Sequence, residues 1–233
     1  MGASRVVVVT GGFGTLGKAV GITFAQSGYR TVLLGRASTP SGLTQEFPTP
    51  HQVLGGIDLT DPKSAEGAMA AVRQACGGID VLVNVAGGFR SQSVEQGAID
   101  TWDAMFDMNL KTAVVATRAA LPQILQSQSG RIINIGAATA LSPSPAGMGA
   151  YLAAKAGVHK FTESLAAELK DRGVTVNAIL PSIIDTLQNR ADMPEADFSR
   201  WVAPAAIAEV IVFLASAKAA AVTGALIPVR GSG

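Results

Sequence analysis

Near its amino terminus the chain reads Val6-Val7-Val8-Val9-Thr10-Gly11-Gly12-Phe13-Gly14-Thr15-Leu16-Gly17. Four consecutive β-branched residues predict a strand that is buried on both faces, as in a parallel sheet. The glycines that follow lack Cβ atoms, so the backbone can turn tightly and approach a diphosphate at the start of the next helix. The residues that we expect to hold a dinucleotide here are Gly11, Gly14, Thr15, Leu16 and Gly17.

Strand and helix patterns alternate along the rest of the chain. Six clear candidate strands lie at residues 6–9, 31–34, 81–83, 132–135, 174–179 and 225–229. A weaker candidate strand lies at residues 52–57. Helices are predicted at residues 14–27, 61–76, 101–126, 151–172 and 205–216. This order implies an α/β fold of the Rossmann type, a doubly wound parallel sheet of about seven strands with helices on both faces. We expect one domain over residues 1–233, with a polar loop at 37–50 and a short substrate flap near 187–201.

Composition excludes several classes of protein. The chain is 48% hydrophobic and only 15% charged, which is the opposite of a disordered sequence. Its formal net charge of +1 is too small for a nucleic-acid binder. No apolar run approaches the ~20 residues that span a bilayer, and no signal-peptide pattern or metal-ligand spacing is present. With Cys76 as its only cysteine, we expect a cytoplasmic protein that binds no nucleic acid, membrane or metal.

The residue that follows the second strand selects between the two nicotinamide dinucleotides. An acidic residue there bonds the ribose 2′-hydroxyl, whereas an arginine accepts the 2′-phosphate. The predicted strand ends at Leu34 and is followed by Gly35 and Arg36, with no carboxylate beside them. We therefore expect the cofactor to be NADP(H) rather than NAD, with Arg36 on the phosphate.

Tyr151 and Lys155 stand four residues apart at the start of a predicted helix, so they share one face. The pKa of tyrosine is ordinarily near ~10, and a neighbouring ammonium lowers it by stabilising the phenolate. A phenol tuned in this way can donate or accept a proton near neutral pH. The pair is thus a candidate acid–base centre.

Together with the glycine loop, this pair resembles the short-chain dehydrogenase/reductase family over essentially the whole chain. The resemblance implies hydride transfer between nicotinamide and a small carbonyl, imine-like or quinonoid substrate, with Tyr151 handling the proton. It also implies that Lys155 bonds the nicotinamide ribose, that Asn109 helps to hold a proton-relay water, and that the protein is a homotetramer or homodimer. The other cofactor contacts that it implies are Asp58, Leu59, Asn84, Ala86, Gly87, Pro181, Ile184 and Thr186.

The sequence departs from the main branch of that family at one catalytic position. A serine about 13 residues before the tyrosine polarises the substrate carbonyl in that branch, but here Ala137 and Ala138 occupy the neighbourhood. Alanine cannot donate a hydrogen bond, and the nearest hydroxyls belong to Thr139 and Ser142. The departure is similar to the quinonoid dihydropteridine reductase branch, which works with tyrosine and lysine alone. It also leaves open a dinucleotide-binding sensor with little catalysis, and an enzyme similar to the sugar-nucleotide epimerases.

Three further side chains have a predicted place. Trp102 lies in a helical pattern and is expected in packing or at an interface. Trp201 follows the flap and is a candidate for the wall of the substrate site. His159, two turns beyond Tyr151, is expected to pack or to lie in an interface rather than to act as an acid or base.

Overall fold

A computed structural model describes residues 4–43, 51–141 and 145–231, and these residues build one parallel sheet with helices on both faces. Its strands are β1 (Val6–Thr10), β2 (Arg30–Leu34), β3 (His51–Leu54), β4 (Val81–Asn84), β5 (Arg131–Ile135), β6 (Thr175–Pro181) and β7 (Leu226–Val229). Its helices are α1 (Thr15–Gln26), α2 (Pro62–Cys76), α3 (Ile99–Phe106), α4 (Thr112–Ile124), α5 (Gly149–Leu169), α6 (Leu187–Asp192) and α7 (Pro204–Ala215). The predicted fold class is confirmed.

The strands lie in the order β3-β2-β1-β4-β5-β6-β7, with every neighbouring pair of these strands parallel. The order reverses direction between β1 and β4, and at such a point the loops on the two sides diverge and leave a crevice. Ligands of open α/β sheets bind in this crevice, at the carboxyl ends of the strands.

The runs of β-branched residues follow from the two-sided core. In β1, Val6 and Val8 face a layer made by α2, α4 and α5, while Val7 and Val9 face a layer made by α1 and α7. Both faces of the strand are buried, so Val6–Val9 are all apolar and show no alternation with polar residues. Among the described residues, no helix has the length and apolar character needed to cross a membrane.

The predicted helix at 101–126 is confirmed as a helical stretch, but it is not α-helical throughout. After α3 the chain makes a π-helical turn over Asp107–Lys111 before α4 begins. Inside this turn the side-chain amide of Asn109 donates to the carbonyl of Met105 at 3.1 Å. A side chain that inserts into the backbone ladder favours such an extra residue per turn, and π-helical turns are frequent at functional sites.

The flap predicted near 187–201 has more local structure than a polar loop. It contains α6 and a short 3₁₀ turn over Phe198–Arg200. Arg190 donates to both carboxylate oxygens of Asp185, at 2.6 and 2.7 Å, and its guanidinium lies 4.8 Å from the ring centroid of Phe198. The ion pair and the aromatic ring therefore tie the two short elements together. Of the predicted loop at 37–50, residues 44–50 lie outside the described part of the chain.

Candidate active site

A cleft of about 510 Å³ opens at the carboxyl ends of β1, β2, β3 and β4, at the point where the strand order reverses. Its position is the one that the fold predicts for a ligand. The structure brings several predicted cofactor residues together in its wall. These are Gly11, Arg36, Asp58, Leu59, Ala86 and Gly87.

The glycine loop forms a cradle of backbone atoms beside this cleft. Gly11 has a φ of 62°, which favours glycine, and a Cβ at Gly17 would collide with the carbonyl oxygen of Gly11. At Gly14 a Cβ would meet only the Gly11 oxygen, at 3.5 Å, so the side facing the cleft stays open. A diphosphate needs this close approach to backbone N–H groups at a helix start. The cradle therefore fits a dinucleotide.

The two helical residues of the loop differ in what they can offer a ligand. Thr15 is exposed at the first position of α1. The side chain of Leu16 is only 8% exposed and packs in the core beneath the sheet. The expected contact between Leu16 and a cofactor stays a prediction, and the backbone of Leu16 is the part that the core packing leaves available for it.

The hydroxyl of Thr10, which the sequence analysis did not single out, fixes the loop to the next strand of the site. Its oxygen accepts the backbone N–H groups of Val85 and Ala86 at 3.0 and 3.1 Å. The signal in the sequence was a polar residue at the end of an otherwise apolar strand. These two bonds hold the start of the loop after β4 against the end of β1, beside the cleft.

Arg36 and Asp58 form the polar end of the cleft, with 3.9 Å between their closest charged atoms. The Arg36 side chain is 80% exposed, so the ion pair is weak and the guanidinium can turn towards an anion. Hydrogen bonds from the N–H and hydroxyl of Thr60, and to a lesser degree the charge of Arg36, lower the pKa of the Asp58 carboxyl. The ring of Phe13 lies against Gly35, where any Cβ would collide with it.

Asn84 is placed differently from the prediction. Its side-chain amide donates to Thr117 at 3.0 Å and to Asn134 at 2.9 Å, and Asn134 in turn donates to Thr162. These buried groups join β4 and β5 to the two helices that cover them. The Asn84 side chain belongs to this internal network, so its expected contact with a cofactor stays a prediction that the geometry does not favour.

Tyr151 and Lys155 lie on one face of α5, as their spacing predicts, with the Lys155 Nζ 5.9 Å from the centroid of the Tyr151 ring. Lys155 is buried and donates to the backbone carbonyl of Ile135 at 2.8 Å. Burial lowers the pKa of Lys155 to about 8 and raises the pKa of Tyr151 to about 12. The expectation that Lys155 lowers the pKa of Tyr151 is wrong for this structure, because desolvation of the phenol dominates.

Asn109 reaches across to the loop that follows β4. Its amide donates to the Gly88 carbonyl at 3.0 Å, and its Oδ1 accepts the Gly88 N–H at 3.2 Å. A Cβ at Gly87 would lie 2.8 Å from the Asn109 Oδ1 and 3.6 Å from the Lys155 Nζ. The structure thus brings Asn109, Gly87 and Lys155 together, and the glycine leaves the space that this requires.

Two residues of the same loop were missed from the sequence. Phe89 is 53% exposed, and its ring meets the Tyr151 ring edge-on, with 5.1 Å between the centroids. Arg90 lines the large cleft. An exposed aromatic and a cation directly after a glycine pair were the available signal, but nothing in the spacing shows which way they point.

Apolar side chains surround Ala138, the residue near the position at which the family's main branch has a catalytic serine. The Ala138 side chain packs against Ala178, Leu180 and Leu226. A hydroxyl at position 138 would therefore be buried among apolar groups. Thr139 is exposed on the turn that follows, and Ser142 lies outside the described residues.

Three residues that are predicted to contact the cofactor lie at or after the carboxyl end of β6, and they are not among the residues that line the large cleft. Pro181 ends the strand, and Ile184 pairs with Val202. The Thr186 hydroxyl accepts the N–H of Asn189 at 3.1 Å and so caps α6. Parallel strands end at one edge of the sheet, so this segment shares that edge with the ends of β4 and β5. Its contacts with a nicotinamide stay predictions.

The two tryptophans occupy different surroundings. Trp201 is 8% exposed, stacks near Phe198 with 4.7 Å between ring centroids, and lines a smaller cavity of about 280 Å³ with Ser182. Trp102 is 40% exposed on α3. The expected wall role of Trp201 and the expected interface role of Trp102 both stay predictions.

A dinucleotide cleft next to a half-buried tyrosine and a buried lysine defines the class, a dinucleotide-dependent oxidoreductase. Residues 5–196 match the family model described as short chain dehydrogenase. The chain is 33% identical to the 3-oxoacyl-[acyl-carrier-protein] reductase FabG of Vibrio cholerae, over 97% of this chain and 96% of that protein. This chain belongs to the short-chain dehydrogenase/reductase family and is an NAD(P)-dependent dehydrogenase or reductase.

Solved structures agree with this assignment. The crystal structure of gox2181 superposes with a TM-score of 0.88 at 30% identity, over 97% of this chain and 94% of that one. The aldohexose dehydrogenase of Thermoplasma acidophilum superposes with a TM-score of 0.86 at 26% identity, over 97% and 92%. These relatives do not support the resemblance to the dihydropteridine reductase branch, which stays a prediction.

Proposed function

We propose that this protein is an NADP(H)-dependent reductase of small, activated carbonyl, imine-like or quinonoid compounds, with Tyr151 as the proton donor. The observation that carries the proposal is the pair of half-buried Tyr151 and buried Lys155 on α5, beside the end of β5, where Ala138 stands in place of a hydroxyl donor. The names of two relatives, a 3-oxoacyl-[acyl-carrier-protein] reductase and an aldohexose dehydrogenase, indicate different substrates, so no substrate is carried over from them.

The proton step follows from the burial of the pair. With a pKa of about 12, the Tyr151 phenol is protonated at neutral pH and is ready to donate to a substrate oxygen or nitrogen. The Lys155 pKa of about 8 leaves its amine mostly protonated at pH 7, so a cation faces the phenolate that remains after the transfer. Both groups thus start in the protonated form that proton donation during reduction requires.

The cofactor would bind along the edge of the sheet. Backbone groups of Gly11, Gly14 and Gly17 would hold its diphosphate, Arg36 its 2′-phosphate and Lys155 its nicotinamide ribose. NADPH supplies a hydride when it is bound there. Phe89 would cover the reacting end, because its ring already packs on Tyr151 and limits the access of water.

The lack of a second hydroxyl donor restricts the substrate class. One donor to a developing oxyanion is commonly worth ~10²–10³ in rate. A simple ketone needs that stabilisation, whereas a conjugated iminium, a quinonoid ring or a 1,2-dicarbonyl is already electron-poor. We therefore propose that the physiological substrate belongs to the activated group.

The test is a steady-state screen of NADPH oxidation against 1,2-diketones, quinones, dihydropterins and simple ketones, with Tyr151→Phe as the control. We expect turnover of the activated compounds that depends on Tyr151. Rapid turnover of simple ketones would contradict the substrate class. Tight NADPH binding without turnover of any compound would favour the sensor alternative instead.

We also propose a cytoplasmic homotetramer or homodimer built from the 1–233 chain as one domain. Exposed apolar side chains form a stripe along α3 and α4, and patches of this kind mark interfaces. The stripe consists of Ile99, Trp102, Phe106 and Val114.

Light scattering at micromolar concentration should show an oligomer that Phe106→Asp weakens. Val94→Asp, a matched change at an exposed apolar residue outside the stripe, should leave it intact, and a monomeric wild type would refute the proposal.

A further inference from the structure

Two side chains of α5 hold the end of β5 from below. The Lys155 ammonium donates to the carbonyl of Ile135 at 2.8 Å, and one turn later the His159 Nε2 accepts the N–H of Ala137 at 3.3 Å. The two bonds thus hold backbone groups on either side of Gly136. His159 is 3% exposed, so its ring is committed to this contact and is not available for an interface between subunits.

Gly136 shows how closely the imidazole supports the loop. A Cβ at this position would collide with the His159 Nε2 and with a methyl group of Leu180. The imidazole and the Leu180 methyl together therefore fill the space that any side chain at 136 would need. The residues that follow are Ala137 and Ala138, where the family's main branch has its serine, so the imidazole supports the loop at the point where the hydroxyl is missing.

We propose that His159 is a positioning residue, which fixes the backbone of residues 135–138 and, through the Ile135 carbonyl, the ammonium of Lys155. His159 itself touches no reacting atom in this account. Only the expected effect of His159 on kcat rests on the proposed function. The contact with the loop stands whether or not the protein reduces a carbonyl.

The contact requires one protonation state of the ring. An imidazole that accepts at Nε2 is neutral and carries its proton on Nδ1. Burial and the charge of Lys155 lower the pKa of His159, which favours this form. The other charges acting on it are Lys160 and Glu163, also on α5. The neighbours that it meets from β6 and the end of β5 do not titrate, and they are Leu180, Gly136 and Ala137.

The first experiment compares His159→Leu with His159→Gln, whose side-chain oxygen can still accept a hydrogen bond. We expect His159→Leu to lower kcat ~10–100-fold, a loss equal to ~1.4–2.8 kcal/mol, with the Kd for NADPH within about twofold of wild type. His159→Gln should recover most of the loss. Lys160→Leu, the exposed neighbour, should match wild type. A His159→Leu enzyme with wild-type kcat would overturn the proposal.

Hydrogen exchange of the loop gives a readout that is independent of turnover. Amides in a peptide covering residues 131–141 should exchange faster in His159→Leu than in wild type or His159→Gln, while the rest of the sheet is unchanged. If the wild type proves inactive, the proposed function fails, but faster exchange would still support the role of His159. Unchanged exchange would overturn that role by itself.

A steric cycle tests the contact with Gly136. Gly136→Ala should lower kcat in the wild type, because its Cβ has no space beside the imidazole. In a His159→Ala background the same change should lower kcat less, since the ring is gone and only the flexible end of the Leu180 side chain still opposes the Cβ. Strictly additive losses would show that the two residues do not share this space and would contradict the proposal.

Discussion

The two halves of the site are held by different kinds of contact. In the cleft at β1–β4 the structure offers backbone groups, glycines without Cβ atoms and a guanidinium on Arg36 that is 80% exposed. At the end of β5 it offers side chains that are almost completely buried, Lys155 at 6% and His159 at 3% exposure. Binding therefore depends on local backbone shape, whereas the proposed chemistry depends on desolvated groups fixed by tertiary hydrogen bonds.

The largest difference between the two halves of the site is expected from Tyr151→Phe, which should lower turnover without weakening cofactor binding. Removing a positioned proton donor costs ~10²–10⁴ in rate, so kcat should fall by about 10³ while the phenyl ring keeps its contact with Phe89. The Kd for NADPH, measured by fluorescence titration, should stay within about twofold of wild type. A variant that turns over at the wild-type rate would show that another group delivers the proton.

The next largest effect is expected in the cofactor half. Arg36→Ala should weaken NADPH binding about 10–100-fold, because a hydrogen bond to a charged group contributes ~1.5–3 kcal/mol. NADH binding should not change, and Arg36→Asp should reverse the preference between the two. Arg73→Ala, which removes one exposed positive charge from α2, is the matched control. Equal loss of NADPH affinity in Arg36→Ala and Arg73→Ala would show that the loss comes from the change in net charge and not from a contact with Arg36.

The smallest effect concerns stability, where burial of Lys155 carries a cost. Lys155→Met should raise the free energy of unfolding at pH 7 by about 1–2 kcal/mol, because buried charges are costly, although activity is lost. Thermal unfolding should shift by roughly 2–4 °C per kcal/mol for a chain of this size. Lys160→Met, on the exposed side of the same helix, should change stability by less than about 0.5 kcal/mol. A destabilised Lys155→Met variant would contradict this reading.

The pH dependence of that difference has a definite sign. In the folded protein the Lys155 pKa is about 8, below its ordinary 10.5, so the unfolded chain binds the extra proton between these values. The wild type therefore gains stability as pH rises from about 8 to 10.5, and its deficit relative to Lys155→Met should shrink over this window. Below pH 8 the deficit should be constant. Chemical denaturation of the wild type and of Lys155→Met at several pH values measures this difference in the free energy of unfolding.

The fold and the cofactor half could be predicted because their signals are local. The valine run of β1, the spacing of Gly11, Gly14 and Gly17, and Arg36 after β2 each have a meaning within a few residues of sequence. The capping of α2 by Asp61, whose carboxylate accepts two backbone N–H groups, is of the same kind.

The catalytic half was predicted less completely because its contacts join distant parts of the chain. The spacing placed Tyr151 and Lys155 on one face, but the direction of the Tyr151 pKa depends on how deeply the fold buries the phenol. The contact of Asn109 with Gly88 and the inward direction of the Asn84 amide depend on partners 21 to 50 residues away. No periodicity or spacing encodes such partners.

The most direct test of the central claim compares two matched substrates, 2,3-butanedione and 2-butanone, at saturating NADPH. If Tyr151 is the single side-chain donor to the substrate oxygen, as we propose, the two substrates should differ strongly. We predict a kcat/KM at least ~10² higher for the dicarbonyl, the scale of one lost donor, and loss of both activities in Tyr151→Phe. Comparable kcat/KM values for the two ketones in the wild type, or undiminished turnover in Tyr151→Phe, would contradict this proposal.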